Sequence, residues 1–249
     1  MMLSRLTKHL RSHNWAAVLL ELVVVVVGIF LAFQLERWYA EQRLRSNVQE
    51  RLVALSVDFS INHDVLDRAI QVRIEVINVT LDLLKMDEQS TTNDDYDEFY
   101  RMLASASRNN SPRLIRGTYD SLVSSGEVEL FDDELLKLNL AEFYAGLGQL
   151  SVFHEATRTF DSRTFEPFVI NNLDHVQMLH YIHPDRIRQT MPTQDSDAFL
   201  KVLGTSVFEG VISGKWHRVD AEIRVMQELR EQAVTIEEQI AESLRGSDD

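Results

Sequence analysis

Cysteine is absent from this 249-residue chain, which rules out disulfides, thiolate metal sites and cysteine nucleophiles and leaves the redox compartment open. Glycine (nine) and proline (four) are scarce, and with 45% hydrophobic and 26% charged residues the composition is that of a folded, mainly helical protein rather than a disordered one. Glycine-rich phosphate loops and basic patches interleaved with aromatics are missing as well. His154-Glu155 lacks the zinc-protease pattern, because Arg158 stands where the second histidine belongs. Ser124-Ser125-Gly126 lies outside any G-x-S-x-G and reads as a helix end. Neither strand-like alternation nor an internal repeat is visible. Long apolar runs number one.

That run, Trp15 to Leu35 (WAAVLLELVVVVVGIFLAFQL), organises the chain. At ~1.5 Å per helical residue it covers a hydrocarbon core of ~30 Å, so residues 15–35 are expected to form a transmembrane helix with the lipid bilayer as partner. No comparable run follows between Glu36 and Asp249, which puts everything after it on one side of the membrane. Arg5, Lys8 and Arg11 precede the span without an acid among them, the mark of a cytoplasmic N-terminus (1–14) and hence a periplasmic remainder. Arg37, Arg43 and Arg45 follow it closely and pull the other way. A cleaved signal peptide fits less well: the run is too long, Glu21 interrupts it, and no small-x-small site follows. Trp15, Trp38 and Tyr39 frame the span as interfacial aromatics, and Gly28 suits close helix packing. Glu21 has two readings of equal standing: a functional carboxyl, or one near enough to the interface, or to a neighbouring copy, to be tolerated.

Residues 1–35 carry +2, which leaves −16 on the rest of a chain whose net charge is −14. So acidic a body repels phosphate backbones, and nucleic acid is not expected as a partner.

His13-Asn14-Trp15, then Glu21 through the valine run to Gly28-Ile29-Phe30-Leu31-Ala32, then Gln34 and Trp38, resembles a bacterial family of single-pass membrane proteins of unknown function. Tyr119 to Glu127 (YDSLVSSGE), with Leu130, Asp133-Glu134-Leu135 and Phe143-Tyr144, is similar to a second stretch of that family. Where the family follows the tryptophan with Asn-Glu, this chain has Tyr39-Ala40-Glu41. The resemblance implies a membrane anchor and no activity.

Beyond the span, residues 36–245 are expected to form an all-α bundle with a membrane-proximal stalk, and 246–249 a frayed tail. An apolar stripe runs through Leu44, Val48, Leu52, Leu55, Phe59, Leu66, Ile70, Ile77, Leu81 and Leu84, with Asn62 and Arg73 in its gaps. Those two polar residues are read as snorkelling at the edge of the buried face rather than setting register or pairing with buried acids. A second stripe (Val65, Ala69, Val72, Val76, Leu83) widens the face towards that of a bundle. The helix either continues straight out of the bilayer, on the order of 100 Å from Trp15 to Leu84 if unbroken, or kinks near Arg37 to Arg45. A polar loop at 87–95 precedes a short helix at 96–107. Ser111 and Pro112 read as the start of another, ending at Gly126. Asp132 is expected to cap a long helix with Leu136, Leu140, Phe143, Leu147 and Leu150 on one face, bent or ended at Pro167. The segment 174–195, with Pro184 and Pro192, reads as irregular. A last helix or pair starts at Ser196 or Asp197, breaks at Gly210 or Gly214, and closes with a near-heptad, coiled-coil-like stripe from Val219 to Leu244. The transmembrane helix is expected to continue into a bundle of three long and two short helices around one core, with four-helix-bundle character.

Candidate sites are few. His175, His180 and His183, beside Asp174 and Asp185, are the densest group of possible metal ligands, but their spacing matches no zinc pattern, so no metal or other cofactor is expected. His154 reads as a core histidine with one satisfied nitrogen. Tyr119, Gly126 and Glu127 are the residues singled out for a partner or ligand surface. The functional expectation is a non-enzymatic membrane protein whose helical domain binds another copy or a different envelope protein. A ligand-sensing bundle is the alternative, and a metal-dependent enzyme ranks third.

Overall fold

The computed structural model describes residues 15–188 and 198–246. Among them the chain is all-α, with one N-terminal apolar helix continuing into a multi-helix bundle and no strand. The basic segment 1–14, Pro192, the helix starts expected at Ser196 or Asp197, and residues 247–249 lie outside the described residues, as do the side chains of Trp15 and Leu44. The chain divides into two units, up to Arg51 and from Leu52 onward.

The first unit is the N-terminal part of helix α1 (Trp15–Lys85, 71 residues), which runs as one helix through 37–45, the continuous one of the two alternatives. Within it Leu19–Ala40 is the one stretch, among the described residues, long and apolar enough to cross a membrane, at a mean hydropathy of 2.3. Its side chains are all exposed on the chain itself. Trp38 and Tyr39 stack obliquely at its C-terminal end, 5.1 Å apart.

In the second unit α1 buries Leu52, Leu55, Phe59, Asn62, Leu66, Ile70, Arg73, Val76, Thr80 and Leu83, steps of three and four that keep one face inward. The expected stripe holds as far as Ile70 and then gives way. Leu81 is exposed and Ile77 and Leu84 only half-buried, while Arg73, Val76, Thr80 and Leu83 take the core. A helix of 3.6 residues per turn drifts against a fixed step, and at this level polar partners for Arg73 lie opposite.

The other long helices are α4 (Glu134–Phe160) and α8 (Ser206–Gly246). Asp133, one residue later than expected, caps α4 by accepting hydrogen bonds from the backbone N–H groups of Leu135 and Leu136. A π-helical turn, Asp161–Phe165, leads from α4 into α5 (Glu166–Asn172). Pro167 sits in the first turn of α5, where its missing N–H is tolerated, and the wider π-turn precedes it. Asn139 pairs with Gln239 at one end of α4 and Asp161 with Lys215 beyond the other, so α4 and α8 are antiparallel. Phe59 stacks on Phe143 and Arg73 approaches His154, which makes α1 and α4 parallel. Each large apolar side chain fully buried between them contributes ~1.5–3 kcal/mol.

With α5 the described bundle has five short helices, not two; the others are α2 (Tyr96–Ala106), α3 (Gly117–Ser125), α6 (His175–Ile182) and α7 (Ala198–Val202). Helix α3 starts at Gly117, five residues after the expected Pro112, because Asn62 of α1 holds both backbone groups of Ile115: its Nδ2 donates to the carbonyl (2.8 Å) and its Oδ1 accepts from the N–H (2.6 Å). Gly126 then closes α3 at φ 74, the left-handed cap expected of it. Helix α6 occupies part of the segment expected to be irregular. Its cap is Asp174, which accepts from the Gln177 N–H and from the Tyr96 hydroxyl. The break expected at Gly210 or Gly214 falls instead at Gly204, φ 68. Gly214 stays helical, and a Cβ there would stand 3.0 Å from the Phe160 ring. Aromatics fill this end of the bundle: Tyr96, Phe99, Tyr100, Phe168, Phe199 and Phe208 form one cluster.

Candidate functional site: a buried ionic network

The least expected feature lies among α1, α4 and α8. Arg73 and Glu222 are both almost fully buried and pair directly, Nε donating to Oε2 at 2.9 Å. The remaining guanidinium edge donates to the carbonyl oxygens of Arg108 and Asn110 and to Asn109 Oδ1, each at 3.2 Å. Asn109 passes the chain on, its Nδ2 donating to Asp161 Oδ2 at 2.8 Å. Asp161, in the π-turn, accepts from Lys215 Nζ with both oxygens, at 2.8 and 2.7 Å. Lys215 is wholly buried and also faces the Phe165 ring. His154 closes the group, with Nδ1 3.5 Å from Arg73 Nη2 and 3.8 Å from Glu222 Oε1. Two cations and two carboxylates are thus threaded through an asparagine, with formal charges that cancel.

Burial dominates the electrostatics of the Lys215–Asp161 pair. Loss of solvent pushes the ammonium of Lys215 below its ordinary pKa and the carboxyl of Asp161 above its own, and in each case the partner's charge only partly offsets the shift. An ion pair of this kind adds little net stability over a well-packed apolar pair, whereas its geometry is demanding. What the arrangement can do is specify one packing. It ties α1 to α8 through Arg73–Glu222, α8 to the π-turn through Lys215–Asp161, and the 108–110 loop to both.

Asn62 and Arg73 therefore do not snorkel; both are core residues, and the reading that paired Arg73 with a buried acid is the one realised. His154, expected in the core, is half-buried at the edge of the polar network, beside Arg73 and Glu222. Lys215, Glu222 and Asp161 were missed. The signal was present for two of them, since Phe208, Ile212, Lys215, Val219, Glu222 and Met226 follow the alternating step of four and three that marks the buried face of α8.

The other candidates lie apart. Glu21, Gly28, Gln34 and Trp38 are exposed on the first unit. Tyr119 stacks face to face on Tyr144 at 4.0 Å, Gly126 is an exposed cap, and Glu127 is half-buried and engaged within the chain. Burial, then the nearby Asp58 and Asp120 carboxylates, raise the pKa of Tyr144. His175 opens α6, His180 Nδ1 donates to the Ile187 carbonyl at 2.7 Å, and His183 is exposed after the helix ends. Among the described residues no three His, Asp or Glu side chains gather as a metal site. No family model matches the sequence, and comparison with curated proteins and with solved structures likewise found no match.

Proposed function

We propose that this is a single-pass inner-membrane protein, related to the bacterial family its span resembles, with a cytoplasmic N-terminus and a periplasmic bundle that works by binding protein, another copy or an envelope partner, rather than by catalysis. Support comes from the apolar side chains left on the outside. Leu19–Ala40 is unburied throughout, and an exposed stretch of that length and hydropathy suits lipid. On the bundle, Val53, Val57 and Ile61 of α1 and Leu135, Leu138 and Val152 of α4 are exposed at helical spacing, as on faces that receive another protein. The ionic network fits a part in which shape matters, because it holds the three long helices in one register while its charged groups are occupied with one another. The test is the protein mass of the full chain extracted from its own membranes in a mild detergent, corrected for bound detergent. A mass well above the 28.7 kDa of one copy is expected; a strictly monomeric particle with nothing co-purifying would overturn the proposal.

A further inference from the structure

One atom of the ionic network serves three neighbours. Arg73 Nη2 donates to Asn109 Oδ1 and to the Asn110 carbonyl, both at 3.2 Å, and lies 3.5 Å from His154 Nδ1. The same ring nitrogen stands 3.8 Å from Glu222 Oε1, which is buried and receives no hydrogen bond among the described residues. The His154 side chain is 17% exposed, so protons reach it from solvent. Arg73 faces it from α1 and Glu222 from α8, and the 108–110 segment between α2 and α3 offers the network two carbonyls and the Asn109 amide. The other charged groups at this level are engaged elsewhere: Arg108 with Glu75, Asp161 of the π-turn with Lys215, and Arg218 with the Phe160 ring. Glu155 and Arg158 of α4 itself are exposed.

We propose that His154 is the trigger of a proton-operated latch on the 108–110 segment. A neutral imidazole with its proton on Nε2 presents a lone pair at Nδ1, and in that form His154 shares in holding Arg73 Nη2. Histidine gains its second ring proton between about pH 8 and about pH 5. Nδ1 is then a donor: it repels the guanidinium and turns to the unoccupied oxygen of Glu222. The repulsion falls on the atom that holds Asn109 and Asn110, whose 3.2 Å contacts are long for hydrogen bonds from a charged group and part first. Because Asn109 also donates to Asp161 at 2.8 Å, its release reaches the Asp161–Lys215 pair and the π-turn. The inference concerns the bundle alone and stands whether or not the bundle binds protein.

The test uses the full chain in phosphatidylcholine nanodiscs, with Ser111→Cys as its single cysteine carrying a nitroxide; Ser111 is exposed and adjoins Asn110. The mobile fraction of the electron paramagnetic resonance spectrum should rise at least about twofold, and reversibly, from about pH 8 to about pH 5. Placed in His154→Gln or His154→Phe, which have no imidazole to protonate at this position, the same label should give a spectrum that does not change with pH. A nitroxide at Ser124→Cys, exposed at the end of α3, separates release of the segment from loosening of the whole bundle and should not respond. A pH-independent spectrum from Ser111→Cys in the chain that keeps His154 overturns the proposal without recourse to the variants. An equal response in the two His154 variants overturns it as well, as does an equal response from Ser124→Cys.

Discussion

Removing Arg73 tests whether the network specifies the bundle. In Arg73→Met the hydrophobic stem is kept and the guanidinium lost, so Glu222, about 1% exposed, keeps a charge with no cation opposite it. Breaking a buried pair from one side costs about 3–5 kcal/mol. The carbonyls of Arg108 and Asn110 belong to exposed residues and turn to water, so they add little. Against a typical stability of ~5–15 kcal/mol this is a large fraction. With a urea slope of ~2–3 kcal/mol per molar, the unfolding midpoint of the full chain in non-ionic detergent should fall by about 1–2 M. The double variant Arg73→Met/Glu222→Leu removes both charges and should recover most of the loss, because replacing a buried pair by apolar groups is often neutral. A loss below about 1 kcal/mol in the single variant, or a double variant no better than the single, would refute the reasoning.

Three further outcomes follow from the same structure. Asn62→Leu strands the N–H and carbonyl of Ile115 at ~1–3 kcal/mol each, and should both lower the urea midpoint and speed proteolysis within 107–116. Gly126→Ala strains a left-handed cap and should cost about 1 kcal/mol, whereas Gly148→Ala, in the interior of α4 with open space around it, should gain about 0.5–1 kcal/mol; thermal melts read both. Burial raises Tyr100 to about 12 and lifts Tyr144 as well, so the folded chain keeps protons that the unfolded chain has lost. Stability should therefore fall as pH rises from about 10 towards 12, with the last tyrosinate absorbance appearing only on unfolding.

Helical periodicity made the long elements legible: the stripes of α1, α4 and α8 needed only the spacing of leucines, valines and phenylalanines. The polar core was not legible, since a lone arginine in a stripe looks the same whether it reaches water or a glutamate 149 residues away. Local starts failed for a related reason. Ser111-Pro112 is a fair helix start by itself, and it is Asn62, far off in the chain, that holds Ile115 out of the helix. Glycine misled in one direction: Gly210 and Gly214 sit inside a packed helix, where tertiary contacts outweigh a propensity cost of ~1 kcal/mol.

The most direct test of the account is the sidedness of the two ends of the span. Because the chain has no cysteine, Ser4→Cys and Ser124→Cys can each be probed with a membrane-impermeant maleimide in cells whose outer membrane is permeable. The account predicts that Ser124→Cys is labelled in intact cells and Ser4→Cys only after lysis. Labelling of both together would contradict a membrane-spanning Leu19–Ala40, and the reverse pattern would put the bundle in the cytoplasm.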